Sequence, residues 1–384
     1  MSMNSVVSPS SPLSVMHVVS GDLYAGAERI VEELAIAQHA HLKLRVGCIV
    51  LNEGQLASNL VRAGLPTYVL DERRLGVAAL LRRMRGLVRD HRAQIVHTHR
   101  FKENVLGALA AVGRAPSLRT VHGAPEFSRS SLRGWVIDAL DRFAANGLQR
   151  RVVAVSDELA GRLRHVYGVR SLSTVPNGID PDRVIRASTD TVPELPGGIR
   201  IGVFARLVPV KRVDLAIEVA RRARERLGAD VVLHVFGDGA LEATLREQAR
   251  GLQGVHFHGN TLQAPAYMRQ MHALLLTSSH EGLPVCVLEA MSLSVPVVAT
   301  RIGGIPHALA EGECGWLADA SNPDAYVEAV VQAVTPGELR ARKISGAVAR
   351  VRQELSAARM AQAYLRIYEE LLAGSHRPAE AAST

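Results

Sequence analysis

Aromatic residues make up only 4% of the 384-residue chain, and no zinc-finger, RNA-recognition or basic-zipper pattern accompanies them. No nucleic-acid partner is therefore expected. Cysteine is scarce as well: Cys48, Cys286 and Cys314 are three, far apart, with no C-x-x-C pair and no histidine at zinc-finger spacing. That excludes a disulfide framework and a structural metal as organising devices. No stretch approaches the roughly 20 consecutive apolar residues that cross a bilayer, and residues 1–12 are Ser-rich without the apolar run of a secretory signal. A cytoplasmic location is expected, at most touching the inner face of the membrane.

What is present is an ordinary globular composition, 47% apolar and 21% charged, at a length suited to two cores. The formal charge of +8 is unevenly placed. Residues 1–185 hold 24 Lys and Arg against 16 Asp and Glu, whereas residues 186–384 hold 21 of each. A basic first half fits an anionic membrane surface or a polyanionic acceptor.

Short β-branched runs alternate with amphipathic segments: SVMHVVS (14–20), LRVGCIVL (44–51), AQIVHTH (93–99), SLRTVHG (117–123) and RVVAVS (151–156). Such alternation predicts a mostly parallel sheet covered on both faces. It breaks at RASTDTVPELPGG (186–198), a polar segment with two prolines and paired glycines that reads as a linker. It then restarts with IRIGVFARL (199–207), VVLHVFG (231–237), VHFHG (255–259), ALLLTSS (273–279) and VPVVATRIGG (295–304). The expected organisation is an N-terminal Rossmann-like domain over 13–185, the linker, a second such domain over 199–356, and a last amphipathic helix over 357–373. The tails 1–12 and 374–384 read as disordered.

Ligands of open α/β sheets bind where strands end and helix N-termini offer free N–H groups. In SSHEGLPVCVLEAM (278–291), Glu281 and Glu289 flank a Gly282-Leu283-Pro284 turn that opens a helix. Carboxylates there can accept hydrogen bonds from sugar hydroxyls, while N–H groups around Val285 and Cys286 can receive phosphate oxygens. For an isolated pair of this kind, a helix cap and a solvated helix glutamate is the more frequent explanation. The pair is not isolated, because FARLVPVKRVD (204–214) places Arg206 and Lys211 at another strand end, where two cations can grip a diphosphate in place of a metal. FGDGALEATL (236–245) adds Gly237 and Gly239, which are backbone-turn residues first and ligand-loop residues second.

The ordered series NGID, RLVPVKRVD, GDGALEATL, HEGLPVCVLEAM and VPVVATRIGGIP resembles the nucleotide-binding half of glycosyltransferase family 4, retaining enzymes of the two-domain GT-B fold. The resemblance extends back through VSDELAGRLRHVYGV, TVHG, IVHTH and AGAERIVEELA, from about Val15 to Tyr368. It implies a metal-independent transfer from a nucleotide sugar, UDP-linked by family frequency with GDP open; the charge asymmetry points to a glycan or lipid-linked envelope acceptor, and a composition rich in Arg and Ala to a bacterial source. It implies no cofactor. By the same resemblance, Glu281 would hold donor-sugar hydroxyls, Glu289 the nucleotide ribose, and Arg206 with Lys211 the diphosphate. Gly26 would lie against phosphate or acceptor, and His122 beside the reacting sugar as a positioning group. His99 matches a weaker family position. Two departures stand out: Ala25 occupies the place of the first glycine of the family's Gly-Gly turn, and His307 that of a frequent glutamate. Rival readings on the same fold are a sugar-nucleotide epimerase or hydrolase, and a non-catalytic nucleotide-sugar binder.

In the basic half, VAALLRRMRGLVRD (77–90) places Val77, Leu80, Leu81, Met84, Leu87 and Val88 on one helical face, read as core. After His122, EFSRSSLRGWVIDALDRF (126–143) offers Arg129, Arg133 and Trp135 on the expected acceptor side.

Overall fold

The computed structural model describes residues 12–21, 23–123 and 132–375. Seven strands form the first sheet: β1 (Ser14–Val19), β2 (Arg45–Val50), β3 (Thr67–Val69), β4 (Ile95–His99), β5 (Ser117–Val121), β6 (Arg151–Ala154) and β7 (Leu172–Thr174). Their spatial order is β3-β2-β1-β4-β5-β6-β7, every pair parallel. Six form the second: β8 (Ile199–Phe204), β9 (Val231–Phe236), β10 (Val255–Gly259), β11 (Ala273–Leu276), β12 (Val297–Thr300) and β13 (Trp316–Ala318), in the order β10-β9-β8-β11-β12-β13 and likewise parallel. The continuous apolar runs follow from this layering, since β1 and β9 are buried along their whole length by helices on both faces. The three-residue strands β3, β7 and β13 were not legible in the sequence, being too short to show a period.

Each sheet reverses its winding once, at β1/β4 and at β8/β11. Loops leaving the two strands at such a point diverge to opposite faces and open a crevice at the carboxyl ends. The two crevices face each other, because the apolar core is continuous between the sheets: Val155 and Ile179 share one buried cluster with Leu283, Val287 and Leu288. The last helix, Ala357–Ser375, adds Met360, Tyr364 and Tyr368 to that cluster and lies against the first helix, Gly26–Leu42, where Gln38 Nε2 donates to the Tyr368 hydroxyl at 2.9 Å. A second cluster, including Ile201, Val203, Leu215 and Tyr326, fills the far side of the second sheet.

The basic helix Val77–Asp90 forms as expected, but its buried face is narrower. Leu80, Met84 and Val88 are buried, Leu81 and Leu87 are only partly so, and Val77, the first residue of the helix, is 69% exposed.

Candidate functional site

The segment Ala205–Arg212 leaves β8 through a single 3-10 turn, Pro209–Lys211, before the helix Val213–Leu227 begins. The turn aims Lys211 at the loop that leaves β11, where its Nζ donates to Glu281 Oε1 at 2.6 Å. Lys211 and Glu281 side chains are 20% and 8% exposed, so the pair sits at the floor of the crevice with one side open to solvent. Arg206 is exposed on the same loop, at the end of β8. The glycines of 237–239 explain how this loop is supported. A Cβ on Gly237 would lie 2.0 Å from the Ala205 carbonyl oxygen, and one on Gly239 2.5 Å from that of Leu207. Both therefore let the backbone after β9 press against the cation-bearing loop.

Glu281 precedes the turn into the helix Val285–Ser292, with Pro284 as the residue just before the first helical one. Glu289 is the fifth residue of that helix, a little over one turn from its start. Neither half of the common explanation fits. Glu289 is 1% exposed rather than solvated, and its Oε1 accepts a hydrogen bond from the Arg29 guanidinium of the first helix. Arg29 thus crosses from one domain to the other and holds the carboxylate assigned to a ribose by resemblance. A ribose at that place must share the carboxylate with Arg29 or displace it. Cys286, beside these groups, is pushed up to about 12 by burial, which leaves it a thiol.

Gly282 and Leu283 bring the turn against the first domain. A Cβ on Gly282 would lie 2.2 Å from the His122 carbonyl oxygen, and Asn177 Nδ2 donates to the Leu283 carbonyl at 2.8 Å. The Gly-Leu-Pro turn is in this way seated directly on the end of β5. On the other side of the cleft, the first helix starts at Gly26, whose Cβ position has only Val285 Cγ2 nearby at 3.8 Å. Packing within the chain does not call for a glycine there. Ala25 is accommodated without strain: it is extended at φ −118°, and its N–H donates to Glu28 Oε2 at 3.2 Å while Arg100 donates to Glu28 Oε1 at 2.7 Å.

His122 follows β5 and is lowered to about 3 by burial, with the Arg100 charge as a second cause. It is neutral throughout the ordinary pH range. His99 is fully buried behind it rather than on the cleft surface, 3.3 Å from His122 through Nδ1 and Nε2. Arg129 lies outside the described residues, as does the side chain of Trp135. His307 is exposed on the short helix Ile305–Ala308, where its carbonyl accepts from Arg350 at 2.9 Å.

Lys211, Glu281, Gly282 and His122 thus meet at one cleft, with Arg206, Gly26 and the N-termini of two helices around it. Arg29, Glu28 and Arg100 were missed by sequence reasoning. The only available signal was their position within or opposite the AGAERIVEELA segment, which says nothing of a partner 260 residues away.

Comparisons with known proteins agree on a family. The model described as Glycosyltransferase Family 4 matches residues 24–183, and that of Glycosyl transferases group 1 matches residues 193–349. Among curated proteins, the chain is 25% identical over 343 residues to the UDP-Gal:alpha-D-GlcNAc-diphosphoundecaprenol alpha-1,3-galactosyltransferase of Escherichia coli, covering 84% of this chain and 88% of that one. It is 30% identical over 265 residues to D-inositol 3-phosphate glycosyltransferase 2 of Catenulispora acidiphila, covering 63% and 60%. Among solved structures, Anabaena Alr3699/HepE in complex with UDP-glucose superposes with a TM-score of 0.77 at 19% identity, over 94% of this chain and 100% of that one.

Proposed function

The chain belongs to glycosyltransferase family 4, and on that premise we propose that it transfers a sugar from a nucleotide-sugar donor to a glycan or lipid-linked acceptor, with retention at the anomeric carbon and without a divalent metal. The observation that carries this reading is the Lys211–Glu281 pair at the β8/β11 crevice, directly opposite His122. A fixed cation and free helix N–H groups at one point supply what a departing diphosphate needs. Of the two glutamates described on this turn and helix, Glu281 is bonded to Lys211 and Glu289 to Arg29, which speaks against either as an attacking nucleophile.

The step consistent with these groups is a same-face substitution. The acceptor hydroxyl oxygen bonds to the anomeric carbon as the bond from that carbon to the diphosphate oxygen breaks, and the hydroxyl proton passes to the departing diphosphate. Lys211 and Arg206 meet the charge that builds on the diphosphate, with the N–H groups of Val285 and Cys286 beside them. Glu281 and Glu289 orient sugar and ribose, Gly26 leaves room for phosphate or acceptor, and His122 positions the reacting sugar. Gly237 and Gly239 act by shaping the cation-bearing loop. UDP is favoured over GDP because one protein similar to this chain is named for a UDP-Gal donor and another was solved in complex with UDP-glucose.

Thermal stability should rise with one nucleotide series among UDP-, GDP-, ADP- and dTDP-sugars, by about 2.7 kcal/mol at a hundred times Kd, and EDTA should not abolish the rise. With acceptor added, an α-linked donor should give an α-linked product by NMR. A β-linked product overturns retention, and turnover that needs no acceptor favours the epimerase or hydrolase reading.

The acceptor side fits a membrane-borne substrate. On the helix Leu132–Phe143, Val136, Leu140 and Phe143 recur at helical spacing and are 44%, 47% and 62% exposed. Val166, half exposed, adjoins them through the bond from Arg142 to its carbonyl, and Arg164 and Arg170 are exposed nearby. An apolar stripe bordered by arginines suits an anionic bilayer surface, each nearby cation adding about 1 kcal/mol. Sedimentation with phosphatidylglycerol-containing vesicles should exceed that with neutral vesicles and weaken in 0.5 M salt (~4 Å screening length); equal partitioning removes the membrane role.

A further inference from the structure

Behind His122 the buried side chains form one unbranched hydrogen-bonded file. His122 Nε2 meets His99 Nδ1 at 3.3 Å, and His99 Nε2 meets His17 Nδ1 at 3.0 Å. His17 Nε2 meets Gln38 Oε1 at 2.8 Å, and Gln38 Nε2 donates to Tyr368 at 2.9 Å. From there Tyr368 contacts His97 Nδ1 at 2.7 Å, His97 Nε2 contacts Thr120 Oγ1 at 2.8 Å, and Thr120 contacts the Tyr364 hydroxyl at 2.7 Å. His17, His97, His99 and Gln38 are completely buried.

Burial lowers His17 to about 4 and His97 and His99 well below their ordinary value, so each ring is neutral and carries a single N–H. With one hydrogen per ring, the direction of one bond dictates the next. The Gln38 carbonyl oxygen only accepts, which places the His17 hydrogen on Nε2. His17 Nδ1 then accepts from His99 Nε2–H, and His99 Nδ1 accepts from His122 Nε2–H. His122 Nδ1 is left bearing a lone pair, and it is a buried ring nitrogen with no hydrogen-bond partner among the described residues. Turning the Gln38 amide over would reverse every bond and make His122 Nδ1 a donor.

His17, His97 and His99 also bring ring nitrogens within 4.8 Å of one another, close enough to gather a metal ion. All six of their nitrogens are already engaged in the file, which satisfies them without one.

We propose that Gln38, acting through His17 and His99, is a positioning residue that sets the tautomer of His122, so that His122 Nδ1 accepts a hydrogen bond from a hydroxyl of the bound sugar. The choice of hydroxyl as ligand rests on the glycosyltransferase reading; the control by Gln38 does not. A ring held as acceptor by a buried file discriminates for a donor group at that place, whereas an untethered histidine would present either face.

The test uses the full chain labelled with 15N in its histidine rings, with His122 assigned by the signal lost in His122→Ala. Two-bond 1H–15N spectra at pH 7 should show His17, His99 and His122 all as Nε2–H tautomers; Nδ1–H on His122 overturns the proposal without any variant at Gln38. In Gln38→Leu, His122 should split between tautomers and kcat should fall in proportion to the rings that no longer present Nδ1 as acceptor, about twofold for an even split. Gln38→Glu, whose neutral carboxyl accepts from His17 and donates to Tyr368, should restore both. An unchanged His122 tautomer in Gln38→Leu overturns control by Gln38; a split tautomer with unchanged kcat overturns the sugar contact. If wild-type protein transfers no sugar, the enzymatic reading fails and the spectra still decide the role of Gln38.

Discussion

Lys211→Ala is expected to lower kcat by about 10²–10³, a loss on the order of 3–4 kcal/mol of transition-state stabilisation. The magnitude follows from where the ammonium sits. It is 20% exposed, bonded to a carboxylate that is 8% exposed, at the crevice between β8 and β11. Charge developing on a departing diphosphate would find there a cation already desolvated and oriented, so little reorganisation remains to be done in the transition state. Removing it has a second effect, because Glu281 loses its Lys211 partner at the place where the diphosphate would lie. The fold should survive. The 3-10 turn is held by backbone bonds, Lys211 N–H to Val208 and the Thr277 hydroxyl to the Lys211 and Arg212 carbonyls, none of which involves the ammonium. Steady-state kinetics with saturating donor, alongside circular dichroism, checks this. Near-normal turnover would remove Lys211 from the chemistry, and Lys211→Arg should recover part of the loss by keeping the charge.

Stability should fall steeply as pH drops from 6.5 towards 4. His17 is lowered to about 4 and His122 to about 3, and His97 and His99 are lowered well below 6.5, burial being the main cause in each. The unfolded chain therefore binds protons near pH 6.5 that the folded chain refuses. Depressed histidine values make the neutral form the folded one, so stability is complete above 6.5 and is lost below it. Each ring contributes about 1.4 kcal/mol per pH unit while the folded state stays neutral, and four rings together cost several kcal/mol by pH 5. The groups facing the file reinforce the sign. Arg100 repels a proton on His122, while Gln38, Thr120, Tyr364 and Tyr368 bring no negative charge to the other rings. Urea titrations at pH 7.5, 6.5 and 5.5 would show it; a flat stability over that range would mean that the rings are charged or accessible in the fold.

Much of the architecture was legible locally. Runs such as SVMHVV and VVLHVF declare buried parallel strands because each side chain, inward or outward, meets a helix. The Pro- and Gly-rich stretch before Ile199 marked where the pattern restarts. The edge strands β3, β7 and β13 escaped because three residues carry no period, whereas the five-residue edge strand β10 was legible. Val77 showed a limit of a different kind, since helical spacing tells which face is apolar and not how much of that face is covered.

The site divides along the same line. Residue types suited to a diphosphate and a sugar could be picked out at Lys211 and Glu281, since they stand at neighbouring strand ends, where ligands of doubly wound sheets bind, within an ordered series of motifs. Their bond to each other could not, nor could the burial of Glu289 beneath Arg29, which lies in the other domain. The bonds of His99 to His17 and onward were equally out of reach, because hydrogen bonds among rings on β1 and β4 exist only once those strands are neighbours.

By itself, then, the sequence determined the two alternating α/β sheets, the break between them and the strand ends that carry the charged groups, because periodicity and turn chemistry act over a few residues. Tertiary structure alone decided which of those ends face each other, that a carboxylate is clasped from across the cleft, and that the last helix supplies the tyrosines of the buried file. Those outcomes depend on strand order and on helix docking between residues hundreds of positions apart, for which no local pattern exists.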